Sequence, residues 1–176
     1  MTIKVGINGL GRIGRLALKV AWEWPEFEFV QFNDPAGNAE TFAHLLNFDS
    51  IHGKWCYEAT HSDTSLLIEG KTIALSHNLA IGETDWSGCD IVIEASGVMR
   101  TKALLEQYLS QGVKRVVVTA PVKEDGVLNV VMGVNHHLFN SAEHLIVTAA
   151  SCTTNCLAPV VKVLHEKIGI KHGSIT

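Results

Sequence analysis

The chain has 176 residues, 47% of them hydrophobic and 18% charged, with a formal net charge of -4. This composition suits one soluble domain with a sizeable core, or one domain plus the start of another, and it excludes a disordered or low-complexity chain. No run approaches the roughly 20 apolar residues of a membrane span, and no block of lysine or arginine offers a nucleic-acid footprint.

Met1 leads into a strand-like run without the apolar stretch of a secretory leader. The four cysteines, Cys56, Cys89, Cys152 and Cys156, are too few for a disulfide scaffold, so a reducing, cytoplasmic setting is expected.

Short β-branched runs alternate with longer helical patterns, the signature of a parallel sheet with crossover helices. Ile3 to Asn8 reads as a strand, and apolar residues from Ile13 to about Trp24 recur at helical spacing until Pro25 stops them. Phe27 to Phe32 is the next strand, closed by Asn33-Asp34-Pro35, and Asn38 is placed to cap a helix running to about Leu46.

Between Ile51 and Trp86 the pattern weakens into Ser65–Ile68 and Thr72–Leu75, with Glu69-Gly70-Lys71 as a hairpin turn between them, so an antiparallel excursion is predicted. Strands then follow at Asp90–Glu94, Arg115–Thr119, Asn129–Met132 and Leu145–Thr148. Thr101 opens a helix to about Ser110, and a last helix runs from Thr153 to about Lys167. From Ile168 a further element begins that the sequence does not finish.

Gly9-Leu10-Gly11-Arg12-Ile13-Gly14 is a G-x-G-x-x-G with a strand before it, an amphipathic helix after it and an acidic residue, Asp34, some twenty positions on. In such a loop Gly9 permits the turn, Gly11 lets backbone approach a pyrophosphate and Gly14 lets helix pack on sheet, while free N–H groups at the helix start face the anion. Asp34 can accept hydrogen bonds from an adenosine ribose, and its charge favours NAD while leaving NADP open. An Asx-turn before Pro35 is its plainer role and does not exclude the first. Ser96, Gly97 and Thr119 end later strands at the same edge and are further cofactor-side candidates, although glycine-rich strand ends are commonly structural.

Ala150-Ser151-Cys152-Thr153-Thr154-Asn155-Cys156 places a cysteine at the start of a helix, where the macrodipole favours thiolate. Ser151 and Thr153 set hydroxyls beside it. Cys156, four residues on, could share a helix face with Cys152 and bind metal or bridge. Two ligands without a second pair make a poor zinc site, so no metal site is expected. Cys56, Cys89 and Cys156 read as buried core cysteines, Cys152 as a nucleophile.

These stretches, with Phe48-Asp49-Ser50-Ile51-His52-Gly53, Ile93-Glu94-Ala95-Ser96-Gly97, Thr119-Ala120-Pro121 and Met132-Gly133-Val134-Asn135-His136, strongly resemble phosphorylating glyceraldehyde-3-phosphate dehydrogenases, in the family's order along the whole chain. Erythrose-4-phosphate dehydrogenases share much of the cysteine motif. The resemblance implies that Cys152 attacks an aldehyde, that hydride passes to NAD and that phosphate takes the acyl group. By the same resemblance, Arg12 and Ile13 lie against the pyrophosphate, Asp34 holds the ribose, Ser151 and Thr153 help bind the attacking phosphate, and Asn155 supports the loop. Glyceraldehyde 3-phosphate is the implied substrate, and a homo-oligomer the implied assembly.

Two segments depart from the family. Ser76 to Glu83 lacks its usual Arg-Asp-Pro before the tryptophan matched by Trp86, so the family's adenine contact is not carried over. Asn33-Asp34-Pro35-Ala36-Gly37 and His44-Leu45-Leu46-Asn47-Phe48-Asp49 look more like the paralogues found beside arsenic-efflux genes, in which arsenate replaces phosphate. The family's catalytic histidine would follow Thr176. The nine histidines present, at 44, 52, 61, 77, 136, 137, 144, 165 and 172, read as surface or capping residues.

The expected fold is therefore α/β: a Rossmann-type, doubly wound, mostly parallel sheet over residues 1–150, then the first helix of a truncated catalytic domain over 151–176. The expected function is a dehydrogenase part that binds NAD without completing turnover. The contrasting expectation is a nucleotide-binding module that never catalyses.

Overall fold

A computed structural model describes residues 2–175. Its central strand, β1 (Ile3–Asn8), turns through the glycine loop into α1 (Arg12–Ala21) and returns as β2 (Phe27–Asn33). The helix stops three residues short of the predicted Trp24. Pro25 disfavours helical backbone in the residue before it, and Trp24 already sits in a tight turn, its N–H bonded to the Ala21 carbonyl at 3.2 Å. The chain continues through α2 (Ala39–Asn47), capped as predicted by Asn38 accepting from Thr41 N. A small hairpin follows, β3 (Phe48–Asp49) with β4 (Gly53–Lys54), which the sequence pattern did not announce.

Strands β5 (Ala59–His61), β6 (Ser65–Ile68) and β7 (Lys71–Ser76) form the antiparallel excursion, and β7 rejoins the sheet parallel to β2. Glu69 and Gly70 take φ of 49° and 76°, the positive values that a two-residue hairpin turn with the sheet's twist requires. The remaining elements are β8 (Ile91–Glu94), α3 (Lys102–Ser110), β9 (Arg115–Val118), β10 (Leu128–Asn129), β11 (Ile146–Thr148) and α4 (Cys152–Lys167). The strand predicted at Asn129–Met132 lies earlier, because Val131 N is taken by the Asn135 side chain at 2.7 Å and the backbone turns there.

Nine strands lie in the order β10-β11-β9-β8-β1-β2-β7-β6-β5, all parallel from β10 to β7. The order runs one way from β1 to β2 and the other way from β1 to β8. Right-handed crossovers therefore put α1 and α2 on one face and α3 on the opposite one. Side chains alternate accordingly. Val5, Ile7, Phe29 and Phe32 pack in one core with Leu18 of α1 and Phe42 and Leu46 of α2, while Val92, Val116 and Val118 pack with Leu105 and Tyr108 of α3 and the fully buried Trp86. Helix α4 stands apart: none of its 16 residues is buried.

Candidate active site

Strand pairing sets five strand ends level with one another. Asn8 pairs with Asn33 on one side and Glu94 on the other, Glu94 with Val118, and Val118 with Thr148. Every sequence-predicted site segment leaves the sheet from this edge: the glycine loop after β1, Asp34 after β2, Ser96 and Gly97 after β8, Thr119 after β9 and Cys152 after β11. Asp34 and Cys152 follow strands four spacings apart, roughly 19 Å at about 4.8 Å each. That reach suits an extended dinucleotide lying across the carboxyl ends of the strands, astride the point where the strand order reverses.

The glycine loop is built tightly on one side and left open on the other. Gly9 has φ +97° and its N–H bonds the Asn33 carbonyl at 2.7 Å. A Cβ there would fall 2.5 Å from Ser96 N and 2.6 Å from the Ala95 carbonyl carbon. Gly14 is closed equally hard, since a Cβ would run into the Gly9 carbonyl oxygen. Gly11 is the opposite case: nothing lies within 4 Å of its Cβ position. It is also the N-cap of α1 and supplies no side-chain bond, so the first N–H groups of that helix are left for another acceptor. An open backbone cradle at an uncapped helix start fits a pyrophosphate. Arg12 and Ile13, in the first turn, are both exposed, with the Arg12 guanidinium 3.5 Å from Asp49.

Asp34 is half-buried and already committed in part. Its Oδ2 accepts from Leu10 N at 2.7 Å and its Oδ1 from Ala36 N at 2.9 Å, the second being the Asx-turn bond. His77, in the segment that departs from the family pattern, holds the Asp34 carbonyl at 2.9 Å through Nδ1. Ser96 N donates to the buried Glu94 carboxylate at 2.8 Å, and Ser96 Oγ accepts from Val98 N. Gly97 is exposed with φ +78°, and Thr119 N bonds the Glu94 carbonyl.

At the far end, Ser151 is the N-cap of α4. Its Oγ accepts from Thr154 N at 3.0 Å and lies 2.7 Å from Thr154 Oγ1 and 3.0 Å from Thr153 Oγ1. Cys152 is thus the first residue of the helix, exposed, and among the described residues no hydrogen bond involves its Sγ. Asn155 holds the turn as expected, donating to the carbonyls of Ala149 at 2.7 Å and Ser151 at 2.9 Å. Ala150, between them, takes φ +56°. A non-glycine residue there needs external restraint, which Thr148 Oγ1 supplies by accepting from Ala150 N at 3.0 Å while donating to Asn129 Oδ1 at 2.7 Å. Asn129 and Thr148 were missed in the sequence. A polar residue ending an otherwise apolar strand is the signal that could have found them.

Cys89 is buried against Trp86 as expected, and burial pushes its thiol up to about 11. Cys56 and Cys156, read as core cysteines, are exposed instead. Cys156 lies on the helix that buries nothing, and Cys56 in the outer connection between β4 and β5.

Comparison with known proteins agrees with the geometry. Residues 3–102 match the family described as glyceraldehyde 3-phosphate dehydrogenase, NAD binding domain, and residues 151–176 match its C-terminal domain. Glyceraldehyde-3-phosphate dehydrogenase 3 of Nostoc sp. (strain PCC 7120) is 53% identical over 178 residues, covering 100% of this chain and 52% of that protein. Glyceraldehyde-3-phosphate dehydrogenase 1 of Bacillus subtilis is 43% identical with the same coverage, and the cytosolic enzyme of Chlamydomonas reinhardtii is 42% identical over 99% of this chain and 51% of that protein. The chain spans about half the length of the curated relatives it matches. The matched domain binds NAD, which is the cofactor that the glycine loop fits.

Proposed function

The chain belongs to the glyceraldehyde-3-phosphate dehydrogenase family, a family of oxidoreductases, and from that membership we propose that it carries the NAD site and the nucleophile of a phosphorylating aldehyde dehydrogenase. The observation that carries this reading is Cys152. It is exposed at the first position of a 16-residue helix and stands at the same sheet edge as an open, uncapped glycine loop.

In the proposed reaction Cys152 Sγ attacks the aldehyde carbon of glyceraldehyde 3-phosphate, forming a hemithioacetal. The carbon then gives up a hydride and the hydroxyl its proton to a base, leaving a thioester. A phosphate oxygen attacks that thioester, the carbon–sulfur bond breaks, and an acyl phosphate leaves with Cys152 restored. NAD, when bound, supplies the hydride acceptor. Gly11, Arg12 and Ile13 present backbone to the pyrophosphate and Asp34 retains lone pairs for the ribose hydroxyls, while Ser96, Gly97 and Thr119 border the remainder. Thr153, with its exposed hydroxyl, and Ser151 border the acyl acceptor. Asp34 also sets the preference for NAD over NADP, because its charge opposes a 2′-phosphate.

We divide the chain at residue 150, the first part being the dinucleotide domain and residues 151–176 the start of the catalytic one. That no residue of α4 is buried supports the division. Oxidation of the hemithioacetal needs a base for its hydroxyl proton, and among the described residues no histidine hydrogen-bonds Cys152. These 176 residues are therefore expected to bind NAD without turnover. Calorimetric titration with NAD and NADP tests the first half: a chain that binds neither removes the reading. Acyl-phosphate formation by the purified 176-residue chain would overturn the second.

The resemblance of Asn33–Gly37 and His44–Asp49 to the paralogues found beside arsenic-efflux genes raises arsenate as the alternative acyl acceptor, within an arsenic-resistance setting. The full protein's rates with arsenate and phosphate decide it, and a preference for phosphate refutes it. Homo-oligomeric assembly is carried over from the family and is tested by light scattering, where a monomer at working concentration would count against it. A cytoplasmic setting is in keeping with four free cysteines, and no helix among the described residues is long and apolar enough to cross a membrane.

A further inference from the structure

Under the glycine loop lies a buried polar chain that the proposed reaction does not use. The Glu94 carboxylate is 1% exposed and accepts three hydrogen bonds: Oε1 from Ser96 N at 2.8 Å, and Oε2 from Asn8 Nδ2 at 2.8 Å and Tyr108 OH at 2.6 Å. Asn8 Nδ2 also reaches Tyr108 OH at 2.7 Å, and Asn8 Oδ1 accepts from Asn33 Nδ2 at 2.8 Å. Asn33 Oδ1 in turn accepts from Asn78 N at 2.9 Å and Ser76 Oγ at 2.8 Å. The chain crosses the ends of four adjacent strands, β7, β2, β1 and β8.

Its direction is fixed at both ends. A backbone N–H at Asn78 can only donate and the Glu94 oxygens accept from Asn8 Nδ2 and Ser96 N, so each asparagine amide between them has one orientation that satisfies it. Burial, then the neighbouring Glu94, raises the Tyr108 hydroxyl far above its ordinary range, so it stays a donor. No salt bridge reaches Glu94 among the described residues, so these donors alone satisfy its oxygens. A buried carboxyl group held this way has little freedom to move or to change its acceptor pattern.

Each link is attached to a piece of the dinucleotide site. Asn33 immediately precedes Asp34, and Asn8 immediately precedes Gly9, which packs on Ala95 and Ser96. Glu94 holds Ser96 N directly. We propose that Glu94 is a positioning residue for the dinucleotide. Its two acceptor oxygens terminate the chain and set the Ser96–Gly97 loop against the glycine turn, with Asp34 placed through Asn8 and Asn33. This inference rests on the NAD reading above and adds a residue to it.

Two variants separate positioning from general support. E94Q keeps the shape but offers one acceptor where two are needed, so it can serve Ser96 N or Asn8, not both. Y108F removes a buried hydroxyl from the same cluster and leaves the chain from Asn78 to Glu94 intact. With circular dichroism confirming folded protein, E94Q is expected to speed amide exchange at Ser96 and Gly9 and to weaken NAD binding, each by at least about tenfold. Y108F is expected to lower the melting temperature while keeping the NAD dissociation constant within about threefold. Equal loss of NAD affinity in both variants, or wild-type affinity and exchange in E94Q, overturns the proposal.

If E94Q does not fold, E94D takes its place. It keeps both acceptors on a stem too short to span Ser96 N and Asn8 together, and wild-type NAD affinity in E94D overturns the proposal equally. A wild-type chain that binds no NAD would refute the dinucleotide reading. The exchange arm, run without ligand, would then decide the role of Glu94 by itself.

Discussion

Gly9 and Gly11 are two residues apart in one loop, yet alanine should act on them in opposite ways. At Gly9 the backbone has φ +97°, a region that costs an L side chain about 1–2 kcal/mol. The new Cβ would also meet Ser96 N at 2.5 Å and the Ala95 carbonyl at 2.6–2.7 Å, all backbone atoms that cannot rotate aside. Overpacking of that kind adds about 1–3 kcal/mol, and the stiffer unfolded chain returns no more than about 1 kcal/mol. Gly9→Ala is thus expected to lose roughly 1–5 kcal/mol of a total that is typically about 5–15.

Gly11 has φ −63° and open space around its Cβ position, so Gly11→Ala should leave stability within about 0.5 kcal/mol of wild type. The same methyl projects where a pyrophosphate must approach, and NAD affinity should fall at least about tenfold, or 1.4 kcal/mol. Urea unfolding at constant slope measures the first quantity and calorimetry the second. The reasoning fails if Gly11→Ala binds NAD as the wild type does, or if the two variants are equally destabilised.

Three further outcomes follow from the same geometry. Ser151→Ala removes the Thr154 N bond, a loss of about 1 kcal/mol, but α4 buries nothing, so amide exchange should quicken in residues 152–156 while the urea midpoint stays put; a shifted midpoint would mean that α4 is coupled to the core. A thiol reagent at about pH 8 should modify Cys56, Cys152 and Cys156 quickly and spare Cys89, whose thiol, held near 11 chiefly by burial, is ionised to about one part in a thousand; four fast thiols would contradict the buried environment. The Lys114 ammonium and the Lys4 N–H hold the Asp90 carboxyl below its ordinary value, so its contribution is present above the unfolded value near 4 and is lost as pH falls through the folded one. Asp90→Asn should therefore destabilise near neutral pH and match the wild type in strong acid, and a stability difference independent of pH would refute the assignment.

What the sequence disclosed was local. Asn38 at its cap, the Glu69-Gly70 turn, the glycine loop with its flanking strand and helix, and Ser151-Cys152 at a helix start are all set by neighbours within a few residues, and all stand where the pattern put them. The misses have a common physical origin. Exposure of Cys56 and Cys156 depends on what covers β4–β5 and α4, which no local pattern states. The strand expected at Asn129–Met132 was displaced by a side chain, Asn135, competing for a backbone N–H. The polar chain ending at Glu94 joins residues 25, 45 and 86 positions apart, so its members look like isolated polar residues in apolar strands until the sheet brings them level.

On the proposed reading, Asp34 serves the turn and the ribose together. The Asx-turn and the proposed ribose contact draw on the same carboxylate without excluding one another. In the folded chain Oδ1 makes the turn with Ala36 N and Oδ2 holds Leu10 N, which ties the exit of β2 to the glycine loop. Each oxygen carries two lone pairs, so both bonds leave acceptor capacity facing outward from a half-buried position. The protein contacts are what hold that capacity still. A carboxylate fixed by two backbone N–H groups loses little further freedom when ribose hydroxyls bind, and part of the ordering that a ligand would otherwise impose is already done in the free chain.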